Sequence, residues 1–150
     1  MRRLALLAAL GCLAFAAAPP AYAQEPTIVT NITFPEEGEP FGTFTASEPL
    51  CPSGTFVDQF IGGGGALRSG HVDYNANAIL KTFTCADGSG TFTILFHPQF
   101  TPATPAGCDA AGPFTVIGGT GDYARLRGVG NFCVTFSDEH ETFTGTFRLT

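Results

Sequence analysis

Phe114-Thr115-Val116-Ile117-Gly118-Gly119-Thr120-Gly121-Asp122-Tyr123-Ala124-Arg125-Leu126-Arg127-Gly128-Val129-Gly130-Asn131-Phe132 is the stretch on which the reading of the fold turns. A β-branched apolar run enters it, a glycine-dense corner breaks that run, a short amphipathic turn follows, and a second β-rich run leaves. Gly118, Gly119 and Gly121 can take positive φ without a Cβ clash, which allows a sharp turn. Tyr123 and Leu126 stand three apart, so one helical turn puts them on one face and leaves Arg125 and Arg127 off it. Gly128 follows where a left-handed cap would end such a turn. The segment reads as a plug: a strand ends, one helical turn tucks Tyr123 and Leu126 beneath it, and the next strand begins.

Outward from the plug, period-two alternation dominates. Phe41-Gly-Thr-Phe-Thr-Ala, Thr55-Phe-Val-Asp-Gln-Phe, Leu80-Lys-Thr-Phe-Thr-Cys, Thr91-Phe-Thr-Ile-Leu-Phe, Asn131-Phe-Cys-Val-Thr-Phe and Thr142-Phe-Thr-Gly-Thr-Phe all show it. Residues 28–34 and 114–117 add two shorter runs, and residues 72–74 suggest an irregular ninth. Phe on one face and Thr on the other marks half-buried antiparallel strands. Ala86-Asp87-Gly88-Ser89-Gly90 predicts a tight hairpin, and Ser137-Asp138-Glu139-His140-Glu141 reads as a solvated link between the last two strands. The fold class is all-β, and eight short strands make either a barrel or a sandwich.

A resemblance decides between them. Residues 116–128 resemble the GGTG-x-[FY]-x-x-x-x-G segment of dirigent proteins and allene oxide cyclases, and of related domains in secreted bacterial proteins of unassigned function. The resemblance implies an eight-stranded antiparallel barrel carrying one short helical turn. In those families the segment is architecture; their catalytic acidic, Asn and Pro positions are not assigned to residues of this chain. The same residues also fit G-x-G-x-x-G/A, a dinucleotide-binding pattern. That pattern needs a long helix next, and Gly128 and Gly130 stop any helix after about one turn.

The chain begins like an exported one. Met1-Arg2-Arg3 is a basic start, residues 4–18 are apolar, and Ala21-Tyr22-Ala23 is a small-x-small cleavage site before Gln24. Residues 1–23 are therefore expected to be a removed signal peptide, and residues 24–150 a single barrel domain released outside the cell. Cys12, after Leu10-Gly11, mimics a lipoprotein site, but the apolar run continues beyond it. Losing Arg2 and Arg3 moves the formal net charge from −6 to −8. Such an acidic chain repels nucleic acid and anionic membranes, and Arg68, Lys81, Arg125, Arg127 and Arg148 are scattered along it.

Cys51, Cys85, Cys108 and Cys133 remain after export, an even set without the paired C-x-x-C spacing of a zinc site. Three connectivities are open. Proximity in chain order favours Cys51 with Cys85 and Cys108 with Cys133, each stabilising by ~3.5 kcal/mol on the loop-entropy account.

The chain holds 15 Phe and no Trp. One strand face collects Phe44, Phe92, Ile94, Phe96, Phe132, Val134, Phe136, Phe143 and Phe147. An eight-stranded barrel is just wide enough to be filled by such side chains or to hold one small ligand, and the packed core is favoured. In a hollow barrel, Asp58, Lys81, Phe83 and Phe96 would contact a small hydrophobic ligand. Asp58 alternates with Phe56 and Phe60, and Lys81 with Ile79 and Phe83. Facing inward, the two charges would pair and have perturbed proton affinities; the plainer reading leaves both on the rim.

Other chemistry is sparse. His71, His97 and His140 lie apart without metal-ligand spacing, no G-x-S-x-G nucleophile appears, and no cofactor or metal is expected. The glycine-rich residues 62–71 and the proline-rich residues 97–113 read as surface insertions. Two functions fit. The first is a secreted, disulfide-stapled, non-catalytic binding or interaction module. The second is a cofactor-independent isomerase or cyclase for a hydrophobic unsaturated substrate, as the resemblance implies for some barrels. The contents of the barrel separate them.

Overall fold

The Phe/Thr alternations become strands whose alternate rings, among them Phe44, Phe56, Phe83 and Phe92, turn inward, where burial of an aromatic ring is favourable, while Phe41 stays on the outside. The computed structural model describes residues 25–61, 78–99 and 105–150. The strands are β1 (Thr27–Thr33), β2 (Phe41–Ala46), β3 (Ser53–Ile61), β4 (Ala78–Cys85), β5 (Gly90–Phe96), β6 (Ala110–Gly121), β7 (Leu126–Thr135) and β8 (His140–Leu149). They follow one another in antiparallel order, and β1 pairs with β8 to close an eight-stranded barrel. Closure leaves no free sheet edge for another strand to add to. The connections at residues 34–40 and 136–139, with residues 97–99 and 105–109, lie at one end, called here the Glu139 end. Those at residues 47–52, 86–89 and 122–125 lie at the other, the Tyr123 end. The expected signal peptide, the glycine-rich residues 62–71 with Arg68 and His71, the ninth run at 72–74, and Pro102 lie outside the described residues.

Aromatic rings from adjacent and more distant strands meet in the interior. Phe83 stacks on Phe92 at 4.7 Å between centroids and meets Phe44 edge-on at 5.0 Å. Phe96 meets Phe132 at 4.8 Å and Phe143 at 5.4 Å, and Phe114 packs on Phe143 and Phe147. Edge-to-face and offset pairs at these distances add to the area term. Two disulfides staple the wall: Cys51 is bonded to Cys85, and Cys108 to Cys133.

The plug differs from its sequence reading in three respects. The glycines do not break the strand: β6 runs through Gly118 and Gly119 to Gly121, and only Gly121 has positive φ, at 58°. Pairing with β5 carries the backbone through the glycines, with a bulge where Thr93 and Ile94 face Gly118 and Val116. The expected helical turn is a tight turn instead. Tyr123 N donates to Thr120 O, Ala124 N to Gly121 O and Leu126 N to Tyr123 O, at 3.0–3.2 Å. Among the described residues the one helical element is a 3-10 turn at Phe136–Asp138, which also takes Phe136 out of its expected strand. Gly128 is no cap, since it lies within β7 opposite Phe147, and a Cβ there would meet Thr146 O at 2.7 Å. Tyr123 and Leu126 are buried, with the Tyr123 ring 5.5 Å from that of Phe92.

The proline-rich segment also departs from a plain surface run. Its final part, including Pro113, is strand β6 paired to β7, and Gln99 bridges to Ala111.

Candidate functional site: a buried charge cluster

Strand parity decides which polar side chains enter the barrel. On β3, Asp58 shares a face with Phe56, and on β4, Lys81 shares one with Ile79 and Phe83; the register sets Asp58 opposite Lys81. On β8, Glu141 shares the inward face of Phe143 and Phe147, and its partner on β1 is Thr30, between Ile28 and Ile32. All four are buried: Thr30 and Lys81 are 0% exposed, Asp58 2% and Glu141 5%. Asp58 and Lys81 are therefore inside the barrel, not on the rim as the plainer sequence reading had them.

Lys81 spans the lumen, because β4 and β8 stand on opposite walls. Its Nζ lies 2.9 Å from Asp58 Oδ1, donates to Asp58 Oδ2 at 3.0 Å, and lies 2.6 Å from Glu141 Oε2. Thr30 Oγ1 donates to the same Glu141 Oε2 at 3.0 Å. The Phe56 ring lies 3.7 Å from Nζ, with Phe96 and Phe143 farther off, so the ammonium also rests against aromatic faces. Asp58 Oδ1 is close to the ammonium but receives no hydrogen bond.

One cation and two carboxylates would leave a buried net negative charge, which is costly. Burial pushes the Asp58 carboxyl up to about 7; Lys81 pulls it down by charge and hydrogen bond, while Glu141 and Glu39 push it further up. A proton on Asp58 makes the cluster neutral. A carboxyl poised near neutrality beside a lysine is the equipment of acid–base chemistry, yet the aromatic core encloses it.

Phe83 and Phe96, assigned to a ligand in a hollow barrel, are fully buried against other rings. Glu141 and Thr30 escaped the sequence reading. Their signal was parity: Glu141 is two residues before Phe143, and a turn reading of residues 137–141 hid it. His97 and His140 stay outside the cluster, and no group of His, Cys, Asp and Glu suited to a metal ion occurs among the described residues.

A second feature lies on the outer wall at the Glu139 end. A groove of about 400 Å³ is lined by residues that include Asn31, Phe41, Thr43, Asp138 and Glu139. At the Tyr123 end the scattered arginines gather: Arg127 pairs directly with Arg148 across β7 and β8, and Thr150 Oγ1 donates to the Arg125 carbonyl at 3.1 Å. Along the sequence these cations are scattered; the fold brings them together. No protein-family model, curated protein or solved structure matches this chain.

Proposed function

We propose that this protein is an exported, non-catalytic barrel, held by two disulfides, that works as a binding or interaction module through its outer surface. One observation carries the reading: the interior is occupied by interlocked rings of Phe44, Phe83, Phe92, Phe96, Phe114 and Phe143. A filled lumen serves stability, so recognition falls to the outside. Two disulfides suit an oxidising compartment, and the basic-apolar-Ala-Tyr-Ala start supplies the export route. Outward threonines over an aromatic interior reverse the pattern of a membrane-spanning barrel and favour a water-borne product. The net charge of −6 disfavours nucleic acid as partner. Kinship with the allene oxide cyclase and dirigent barrels belongs to the same proposal, supported by the eight-stranded closure and the 116–128 segment.

The cyclase or isomerase reading keeps one observation in its favour, the Asp58 carboxyl held near neutrality beside Lys81. Native mass spectrometry of the exported protein distinguishes the two. The bare chain is expected; a co-purified apolar adduct, lost on Phe83→Trp substitution, would reverse the choice in favour of a chamber that opens to substrate.

A further inference from the structure

We infer that two copies of this chain pair through the outer wall formed by β7, β8 and β1, with their barrels antiparallel. The inference rests on where the charges lie. Among the described residues the exposed cations are Arg125, Arg127 and Arg148, all at the Tyr123 end of this wall. None has a carboxylate within salt-bridge distance there. Arg127 and Arg148 are direct cross-strand partners, an arrangement that repels within one molecule. Arg127 Nη1 donates to the Leu126 carbonyl at 2.8 Å, which neutralises no charge. Exposed Glu25 and Asp122 also lie at this end but form no ion pair with either arginine, which leaves both guanidiniums open to a counter-charge from a second molecule.

The opposite end carries that counter-charge. Exposed Asp138 and Glu139 line the groove together with Phe41, which is 48% exposed, and Glu36, Glu37 and Glu39 stand on the adjacent β1–β2 connection. Carboxylates beside an open aromatic face suit a guanidinium, which pairs with the first and stacks on the second. Between the two ends the outward positions are uncharged: Val129 and Asn131 on β7, Thr142, Thr144 and Thr146 on β8, and Val29 on β1. Val129 is 57% exposed, and Leu149 beside the arginines 51%.

A two-fold axis perpendicular to the barrel lays this wall on its own copy. Each arginine corner then faces the other copy's acidic groove, twice over, around an uncharged centre. Such a contact closes at two copies. Net charge repels the copies at long range, so attraction acts only at contact, within the ~8 Å Debye length of physiological salt. This inference does not depend on the catalytic or non-catalytic reading of the interior.

Sedimentation velocity of the exported protein tests it. A dimer is expected at low ionic strength, dissociating as salt is raised. The double substitution Arg127→Glu with Arg148→Glu should weaken pairing about tenfold or more, as should Asp138→Lys with Glu139→Lys. Mixing the two variants should restore a dimer, because both contact sets then join opposite charges. Unchanged thermal melts of each variant show that folding is intact. A wild-type monomer at low salt, growth beyond two copies, or failure of the mixture to pair while both variants remain folded would each overturn the inference.

Discussion

At the scale of single residues, Lys81 sets the character of the barrel interior. Among the described residues it is the one cation facing two buried carboxylates, and its ammonium touches both. Lys81→Met leaves those carboxylates unpaired and should lower stability by about 3–5 kcal/mol, measured by urea denaturation. Adding Asp58→Asn and Glu141→Gln removes the charges the lysine had balanced, and most of the loss should return. A Lys81→Met protein as stable as wild type would show that the cluster is solvated. Asp58 also makes stability depend on pH. Burial raises its folded carboxyl to about 7 from the usual 3.8, so near neutrality the folded state holds a proton that the unfolded chain has released. The resulting stabilisation is full below the unfolded value and is lost as pH rises through about 7. Denaturation midpoints should therefore fall from acid to mildly alkaline solution more steeply in wild type than in Asp58→Asn. Parallel profiles for the two proteins would remove Asp58 as the cause.

At the scale of elements, the β6–β7 turn makes a prediction that contrasts neighbouring glycines. A Cβ at Gly119 would lie 2.5 Å from the carbonyl oxygens of both Thr91 and Tyr123. At Gly121 it would lie 2.2 Å from Ser89 O, on a backbone with φ of 58°. At Gly118 it would meet nothing within 4 Å. Gly119→Ala and Gly121→Ala should each cost more than about 1 kcal/mol in thermal melts, while Gly118→Ala should be near neutral. Equal effects at all three would mean that composition, and not the approach of β5 and its hairpin, accounts for the glycines. Tyr123→Ala should cost about 3 kcal/mol, because its ring closes the Tyr123 end against Phe92.

At the scale of the whole molecule, closure and cross-linking act together. Cys51–Cys85 ties the β2–β3 connection to the end of β4, and Cys108–Cys133 ties the β5–β6 connection to β7. Removing either pair as a double Cys→Ala change should lower stability by ~3–4 kcal/mol on the loop-entropy account. Non-reducing peptide mapping should recover both links. N-terminal analysis of secreted material should begin at Gln24; lipid on Cys12 would instead mark a membrane-anchored product and overturn release as a free protein.

Local periodicity in the sequence determined that the chain is all-β, where most strands lie, and which face of each is aromatic. Side chains alternate every residue, so the Phe44, Phe92, Phe132 and Phe143 positions declare their face without tertiary information. The same parity held Asp58, Lys81 and Glu141, but whether an inward charge is tolerable depends on a partner across the lumen, which no local pattern displays. Lys81 meets Glu141 only because closure sets β4 against β8. The glycine stretch was legible as a corner but not as strand, because the pairing with β5 that extends β6 is non-local. The arginines show the same division. Arg127 and Arg148 are far apart in sequence and adjacent in space, since the register of β7 on β8, chosen by the inward rings, carries the outward charges with it.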